Sequence, residues 1–330
     1  MIERETAVRG VVLRAPPPWR RGFSLRALAR EYSVPLLFMA PMGLVVVVAF
    51  LIPVLLTVFI GLTNMSVATG VGGWDFIGLA NFRQMLRSPF TPLILKNTLF
   101  FVALTLLFNV GLALVLAILT TLVPDRPGTL FRSLWLLPRI TPSVVYIMMW
   151  KYFTADEPFG IVAQAFSMVG IETSNLMRTS PWLIIVTLSA FIGASLGMII
   201  FTSAIRSIPR DYYLAAQVDG ASTWQQVGRI TIPMLRWPIM FVMAYQTLSL
   251  LTTFEYILLA TNGGPGFYTT EVWSLYAFHN AFSNYFGNTQ FGFGSALAAV
   301  LVVIGLVASI LYLKFFRFGA QVHRPRIEVN

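Results

Sequence analysis

The 330-residue sequence contains no cysteine. Disulfides, thiolate metal sites and cysteine nucleophiles are thereby excluded. Histidine is nearly absent too: His279 and His323 stand far apart, so a histidine-based metal site or triad is not expected. The lysines are Lys96, Lys151 and Lys314, and none follows a glycine. No G-x-x-x-x-G-K-[ST] loop is present, so the chain supplies no P-loop nucleotide site of its own. Charge is scarce: 11% of residues are charged, against about 25% in soluble domains.

What fills the chain is apolar. Hydrophobic residues make up 57% of it, above the ~45–50% of globular domains, and the composition is that of an integral membrane protein. A spanning helix needs about 20 mainly apolar residues. Six stretches qualify, at about 34–62, 93–122, 134–153, 181–204, 233–260 and 294–316. No strand-type alternation separates them, which disfavours a β-barrel. The basic segment 1–32 precedes the first span. It includes "RRGFSL", a loose match to a twin-arginine export signal, but the apolar run that follows is too long for a cleavable signal. The first span is expected to be an uncleaved anchor.

The net charge is +10. No basic run is interleaved with aromatics on a polar scaffold, so nucleic acid is not an expected partner; the excess is orientation charge. Most of the 23 Lys and Arg fall on one side of the spans: Arg4 to Arg30 before the first, Arg126 and Arg132 after the second, Arg206, Arg210, Arg229 and Arg236 after the fourth, and Lys314 to Arg326 in the tail. Arg83, Arg87, Lys96, Lys151 and Arg178 fall on the other. Both termini and the loop after the fourth span are therefore expected in the cytoplasm.

That loop, at about 207–232, is longer than a simple connection requires. Pro209 and Asp211 suit a helix start. Gly220 suits its left-handed end. Ser222 with Gln225 three residues on is a capping-box pattern that begins a second short helix, running through Trp224, Val227 and Ile230 until Pro233 opens the fifth span. The loop reads as helix, tight turn, helix. Its small residues and its apolar Tyr213, Leu214, Val218 and Trp224 fit either a self-contained turn or a docking element for a cytoplasmic partner.

"AAQVDGASTWQQVGRITIPML", residues 215–235, resembles the cytoplasmic EAA loop of ATP-binding-cassette (ABC) importer permeases. Ala215, Ala216, Asp219, Gly220, Ala221, Ile230 and Pro233 fall on the pattern; Leu214 stands where the family usually has glutamate, and Ile232 where it often has leucine. "FEYILLATNGGPGFYTTEVWSLYAFHNAF", residues 254–282, resembles the T-x-GGP…T segment of the carbohydrate (maltose and glycerol-phosphate type) branch, through Thr261, Gly263, Gly264, Pro265 and Thr270. "LFRSLWLLPRITPSVVYIMMW", residues 130–150, is similar to the third-span entry of that branch.

The resemblance implies an all-α membrane protein with six transmembrane helices and a cytoplasmic helix-turn-helix coupling loop. It implies domains at 1–32 (arm), 33–317 (permease) and 318–330 (tail), in a prokaryotic plasma membrane. The subunit would bind no cofactor and catalyse no covalent chemistry. ATP and Mg would sit on two cytoplasmic ATPase subunits, seated against Tyr213, Leu214, Ala215, Ala216, Asp219, Gly220 and Ala221. A second permease, which could carry the missing glutamate, and an external solute-binding protein would complete an importer of carbohydrate, polyol or glycerol phosphate. Gly263, Gly264 and Pro265 would form a periplasmic turn.

Within the spans, Glu255 is the notable charge, a carboxylate that either lines the solute cavity or gate or is paired near the surface. Asn109 and Ser195 either face the cavity or bond between helices. Gly193 and Gly197 form a small-xxx-small packing seam. Pro138 and Pro142 are expected to bend or delay the third helix around Arg139. The aromatics of 267–293 are expected at the outer interface. An ion-coupled secondary transporter or channel is the competing class. It would be expected to bury several acids and often an inverted repeat, and one such acid and no clear repeat are found.

Overall fold

The computed structural model describes residues 25–70, 72–171, 174–283 and 289–315. The basic arm up to residue 24, the tail from 316, and Tyr285 and Phe286 lie outside the described residues. The chain divides into two compact units, Met1–Leu56 and Thr57–Asn330. Among the described residues the elements are helical, apart from one isolated bridge between Thr63 and Phe76.

The described residues of the first unit lie in one helical run, whose last helix continues past Leu56. Helix α1, Leu25–Val46, passes into a π-turn at Val47–Leu51 and then into α2, Ile52–Gly61. Proline lacks an N–H, and its ring clashes with the carbonyl four residues back. Pro53 would meet Ala49 in this way, and the wider π-turn, closed by Ile52 N–H on the Val47 carbonyl, sits over that clash.

The second unit carries short α3, Ala80–Arg87, then the long α4, Thr91–Leu122, which Pro124 terminates. Next come α5 (Asp125–Trp135), α6 (Leu137–Ile140) and α7 (Ser143–Phe153). The expected third span at 134–153 is thus not one helix. It breaks at Leu136 and again at Thr141–Pro142, beside Pro138 and Pro142. At 1.5 Å per residue α7 reaches roughly 16 Å, half of the ~30 Å hydrocarbon core.

After α8 (Ile161–Ser167) and α9 (Leu176–Thr179) comes α10, Pro181–Arg206. Then follow α11 (Arg210–Val218), α12 (Thr223–Gln226), a π-turn at Val227–Thr231 and α13 (Ile232–Met234). The same device recurs here: the π-turn lies just before Pro233, and Ile232 N–H closes on the Val227 carbonyl. Pro233 therefore does not open the fifth span. The helix runs through it and bends by 61° into α14, Arg236–Thr252. The bend falls at Leu235, where Pro238 would clash with the Met234 carbonyl.

The fifth span also ends earlier than expected. The Thr252 and Thr253 hydroxyls bond the Ser249 carbonyl, and the Ser274 hydroxyl takes the Thr253 carbonyl. Such local bonds compete with the helix ladder. A separate helix, α15, starts at Glu255 and ends at Thr261. The last elements are α16, Trp273–Phe282, and α17, Phe291–Phe315.

Leu37–Gly61, α4, α10 and Phe291–Lys314 are each long and apolar enough to cross a bilayer, and the bent pair ending in α14 makes up to five such spans. Helices α4 and α10 pack most closely. A Cβ added at Gly193 would meet Asn109 at 2.2 Å, and one at Gly197 would meet the Ala113 Cβ at 2.7 Å. Without a hydrophobic force between helices in lipid, such close approach supplies the packing energy. Trp273 and Tyr276 are buried in the core instead of lying at an outer interface. The Trp273 indole N–H donates to the Leu297 carbonyl at 2.9 Å, because α16 packs on α17.

Gly193→Val is expected to cost about 1–3 kcal/mol by overpacking and to lower the thermal midpoint of the detergent-solubilised protein. Gly111→Ala, where a Cβ meets nothing within 4 Å, is expected to hold or slightly raise that midpoint, since alanine favours the helix interior.

Candidate functional site

Three features of the second unit could carry function. The first is the polar excursion between α10 and α14. Helix α11 ends in a Schellman motif: Ala221 N–H donates to the Ala216 carbonyl at 2.8 Å and Gly220 N–H to the Gln217 carbonyl at 3.0 Å. Gly220 sits at φ +78 with open space beside it. Only the left-handed backbone, and no crowding, asks for glycine there. Ser222 then makes both bonds of a capping box with Gln225. The Tyr213 hydroxyl meets the Thr231 hydroxyl at 3.0 Å and ties the two arms together.

This rigid turn displays apolar side chains. Val218 is 88% exposed and Trp224 69%; Tyr212 and Leu214 are exposed too. Leu214, Ala215, Asp219 and Gly220 lie on the exposed side, while Tyr213, Ala216 and Ala221 are half-buried.

The second feature is a polar cavity of about 240 Å³ among α4, α6, α10, α14 and α15. Asn109 Nδ2 donates to Gln246 Oε1 at 2.7 Å, and Gln246 Nε2 donates to the Gly193 carbonyl at 2.8 Å. This clasp joins three helices. Asn109 therefore both bonds between helices and lines the cavity, with Arg139, Ser189, Tyr245 and Tyr256. Ser195 does not line it. Its buried hydroxyl donates to the Ile192 carbonyl of its own helix at 2.6 Å. Glu255 is not among the lining residues either. It is exposed at the start of α15 and accepts a bond from the Ser143 hydroxyl, bracing α15 against α7.

The third feature is the turn after α15. Asn262 and Gly263 both take positive φ, at 52 and 82. Thr270 closes the turn by donating from its N–H to the Gly263 carbonyl and from its hydroxyl to the Gly264 carbonyl. Asn97, on α4, donates to the carbonyls of Tyr268, Thr269 and Glu271. Gly264 and Pro265 complete the rim of a cavity over Glu271.

Glu271 is the buried acid that sequence reasoning missed. It is 1% exposed. His279 Nδ1 lies 2.8 Å from its Oε1, and His279 Nε2 lies 3.1 Å from Asn262 Oδ1. A Cβ at Gly263 would fall 2.0 Å from Glu271 Oε2, so glycine is required there for space as well as for φ. Burial pushes the Glu271 carboxyl above its ordinary range, and His279 pulls the other way. Among the described residues no cluster of three or more His, Cys, Asp or Glu could hold a metal.

The family model described as "Binding-protein-dependent transport system inner membrane component" matches residues 109–317. The chain belongs to this family. The permease is 32% identical over 297 residues to the probable ABC transporter permease protein YesP of Bacillus subtilis, covering 87% of this chain and 92% of that one. It is 29% identical over 293 residues to the trehalose/maltose transport system permease protein MalF of Thermococcus litoralis, covering 88% and 95%. A crystal structure of a bacterial ABC transporter involved in the import of the acidic polysaccharide alginate shares the fold, with a TM-score of 0.74 at 22% identity over 91% of this chain and 99% of that chain. The permease is the non-catalytic membrane component of an ABC importer.

Removing the histidine from the buried pair gives a signed pH effect. A carboxyl whose folded pKa is raised contributes stability below its unfolded pKa and loses it as pH rises through the folded value. His279→Ala is expected to cost about 3–5 kcal/mol at neutral pH, with part regained on acidification to about pH 5. Thermal unfolding of the purified permease at the two pH values checks this; no difference between them would contradict it.

Proposed function

We propose that this permease translocates a carbohydrate or related polyol or glycerol-phosphate solute by alternating access. ATP hydrolysis elsewhere would drive it through the turn at 207–232. The observation that carries this reading is the rigid, capped helix-turn-helix with exposed Val218 and Trp224. Exposed apolar side chains gathered on one turn and rimmed by polar residues fit an interaction site. That partner is one of two ATPase subunits, which hold the ATP and Mg. The carbohydrate class is supported by the three motifs and by the trehalose/maltose relative.

On this reading the turn faces the cytoplasm together with both termini. The Gly263–Pro265 turn faces a solute-binding protein on the other side. A second permease completes the translocation path, and α5 to α7 cross as a broken sixth span. Closure of the ATPases on ATP presses the turn. The Tyr213–Thr231 tie makes its two arms move as one, and the bend at Leu235 passes the motion to α14. Gln246 on α14 then carries it into the cavity that Asn109 and Arg139 line. An ion-coupled mechanism is less well supported. Glu271 lies outside the spans and is already paired with His279.

Gly220→Trp is expected to abolish uptake while the variant inserts and the complex still hydrolyses ATP. Gly220→Asn, which tolerates left-handed backbone, is expected to retain transport. Uptake by the Trp variant at the wild-type rate would remove the docking reading.

A further inference from the structure

The cavity among α4, α6, α10, α14 and α15 has an unbalanced polar lining. Arg139 is the one formally charged residue in it, and no carboxylate joins it there. Among the described residues the ion pairs are Arg206 with Asp125 and His279 with Glu271, so no described carboxylate comes within 4 Å of Arg139. Glu255, at the start of α15, accepts a bond from the Ser143 hydroxyl. Two further lining atoms, Asn109 Oδ1 and Ser189 Oγ, are buried and have no hydrogen-bond partner among the described residues. Buried polar atoms are normally paired. Arg139 is itself exposed, on the short α6, and reaches the cavity with no carboxylate partner among the described residues; a charged side chain facing a cavity in a membrane protein is a functional-site candidate.

A second cavity, of about 230 Å³ and touching Thr261 and Pro265 at the turn after α15, repeats the pattern. It is lined by Lys151 and Arg178 and by no carboxylate. Asp156 stands nearby, but its carboxylate accepts the Asn175 N–H at 2.6 Å. Lys151 donates to the Leu259 carbonyl at 3.2 Å, which leaves its charge without a counter-ion among the described residues.

We infer that the solute carries an anionic group, a carboxylate, phosphate or sulfonate on a sugar, which Arg139 receives in the central cavity. This rests on the carbohydrate reading above. The guanidinium fork matches such planar or tetrahedral anions. Asn109, Ser189 and Tyr245 supply donors and acceptors for the neighbouring hydroxyls. At about 240 Å³ the cavity is below the ~300–1,000 Å³ of drug-sized ligand pockets.

The test uses proteoliposomes holding the complete importer with its solute-binding protein. Uptake is measured for matched sugars that differ only in a C6 carboxylate, phosphate or sulfonate; digalacturonate against galactobiose is one such pair. The expected result is uptake of an anionic member. Its KM rises roughly tenfold or more in Arg139→Gln, the size of one lost charge-assisted hydrogen bond, with Arg139→Lys in between. Added salt is expected to raise the KM of the wild type and not that of the Gln variant. Glu255→Gln is expected to leave the preference for the anionic member in place.

Uptake of neutral members alone overturns the inference and leaves the carbohydrate reading standing. An Arg139→Gln variant that slows both members of a pair alike also overturns it, since that is the mark of a structural or lipid-binding arginine. If no sugar of either kind enters while the complex hydrolyses ATP in response to its binding protein, the carbohydrate reading fails along with this one.

Discussion

In a bilayer every backbone N–H and C=O must find its partner inside the protein, and prolines in the apolar stretches withhold one such partner each. Pro35 and Pro41 are carried within α1 without a break, but the irregularities of the later stretches fall beside prolines. Pro53 and Pro233 are each preceded by a π-turn that moves the chain clear of the clash. Pro138 and Pro142 divide the third apolar stretch into α6 and α7. Pro238 coincides with the 61° bend at Leu235. These irregularities create the functional geometry. The break at Thr141 leaves Arg139 on a four-residue helix beside α10, where it lines the cavity. The bend at Leu235 joins the exposed turn to α14.

Packing around those breaks uses small residues and one polar clasp. Gly193, Gly197 and Ala113 bring α4 and α10 together, and Gln246 reaches across from α14 to Asn109 and the Gly193 carbonyl. A hydrogen bond between spans contributes only about 1–2 kcal/mol, but it fixes which faces meet. Because the clasp sits on the wall of the cavity, a shift of α14 changes the cavity and its binding groups together. On the proposed reading, coupling between the remote turn and the solute would require no long relay of side chains.

Much of the local structure was legible in the sequence. Gly220, Ser222 and Gln225 announced the turn because caps depend on neighbours two to five residues away, and both motifs formed as read. The Gly193–Gly197 seam was legible for the same reason. The first, second, fourth and sixth spans were placed within a few residues. What depended on distant contacts was not legible. Glu271 and His279 are eight residues apart and pair only because α16 folds back beneath the Asn262–Gly263 turn. Gln246 is one polar residue in an apolar run and was not singled out, and only its contact with Asn109, 137 residues earlier, gives it meaning. Trp273 and Tyr276 were assigned to an interface because aromatic composition does not distinguish a lipid boundary from a protein core. Glu255 drew notice for its charge, yet the helix break at Thr253 took it out of the span.

The central claim is that the exposed turn is the seat of a partner ATPase. The absence of native cysteine makes one measurement unusually clean: a single cysteine placed at Val218, in the assembled importer, offered a short thiol cross-linker and, separately, a water-soluble maleimide. The account predicts a cross-link from position 218 to the ATPase subunit and protection of that thiol from maleimide in the complex. A thiol at 218 that cross-links to nothing and is modified as fast in the complex as in the isolated permease would contradict it.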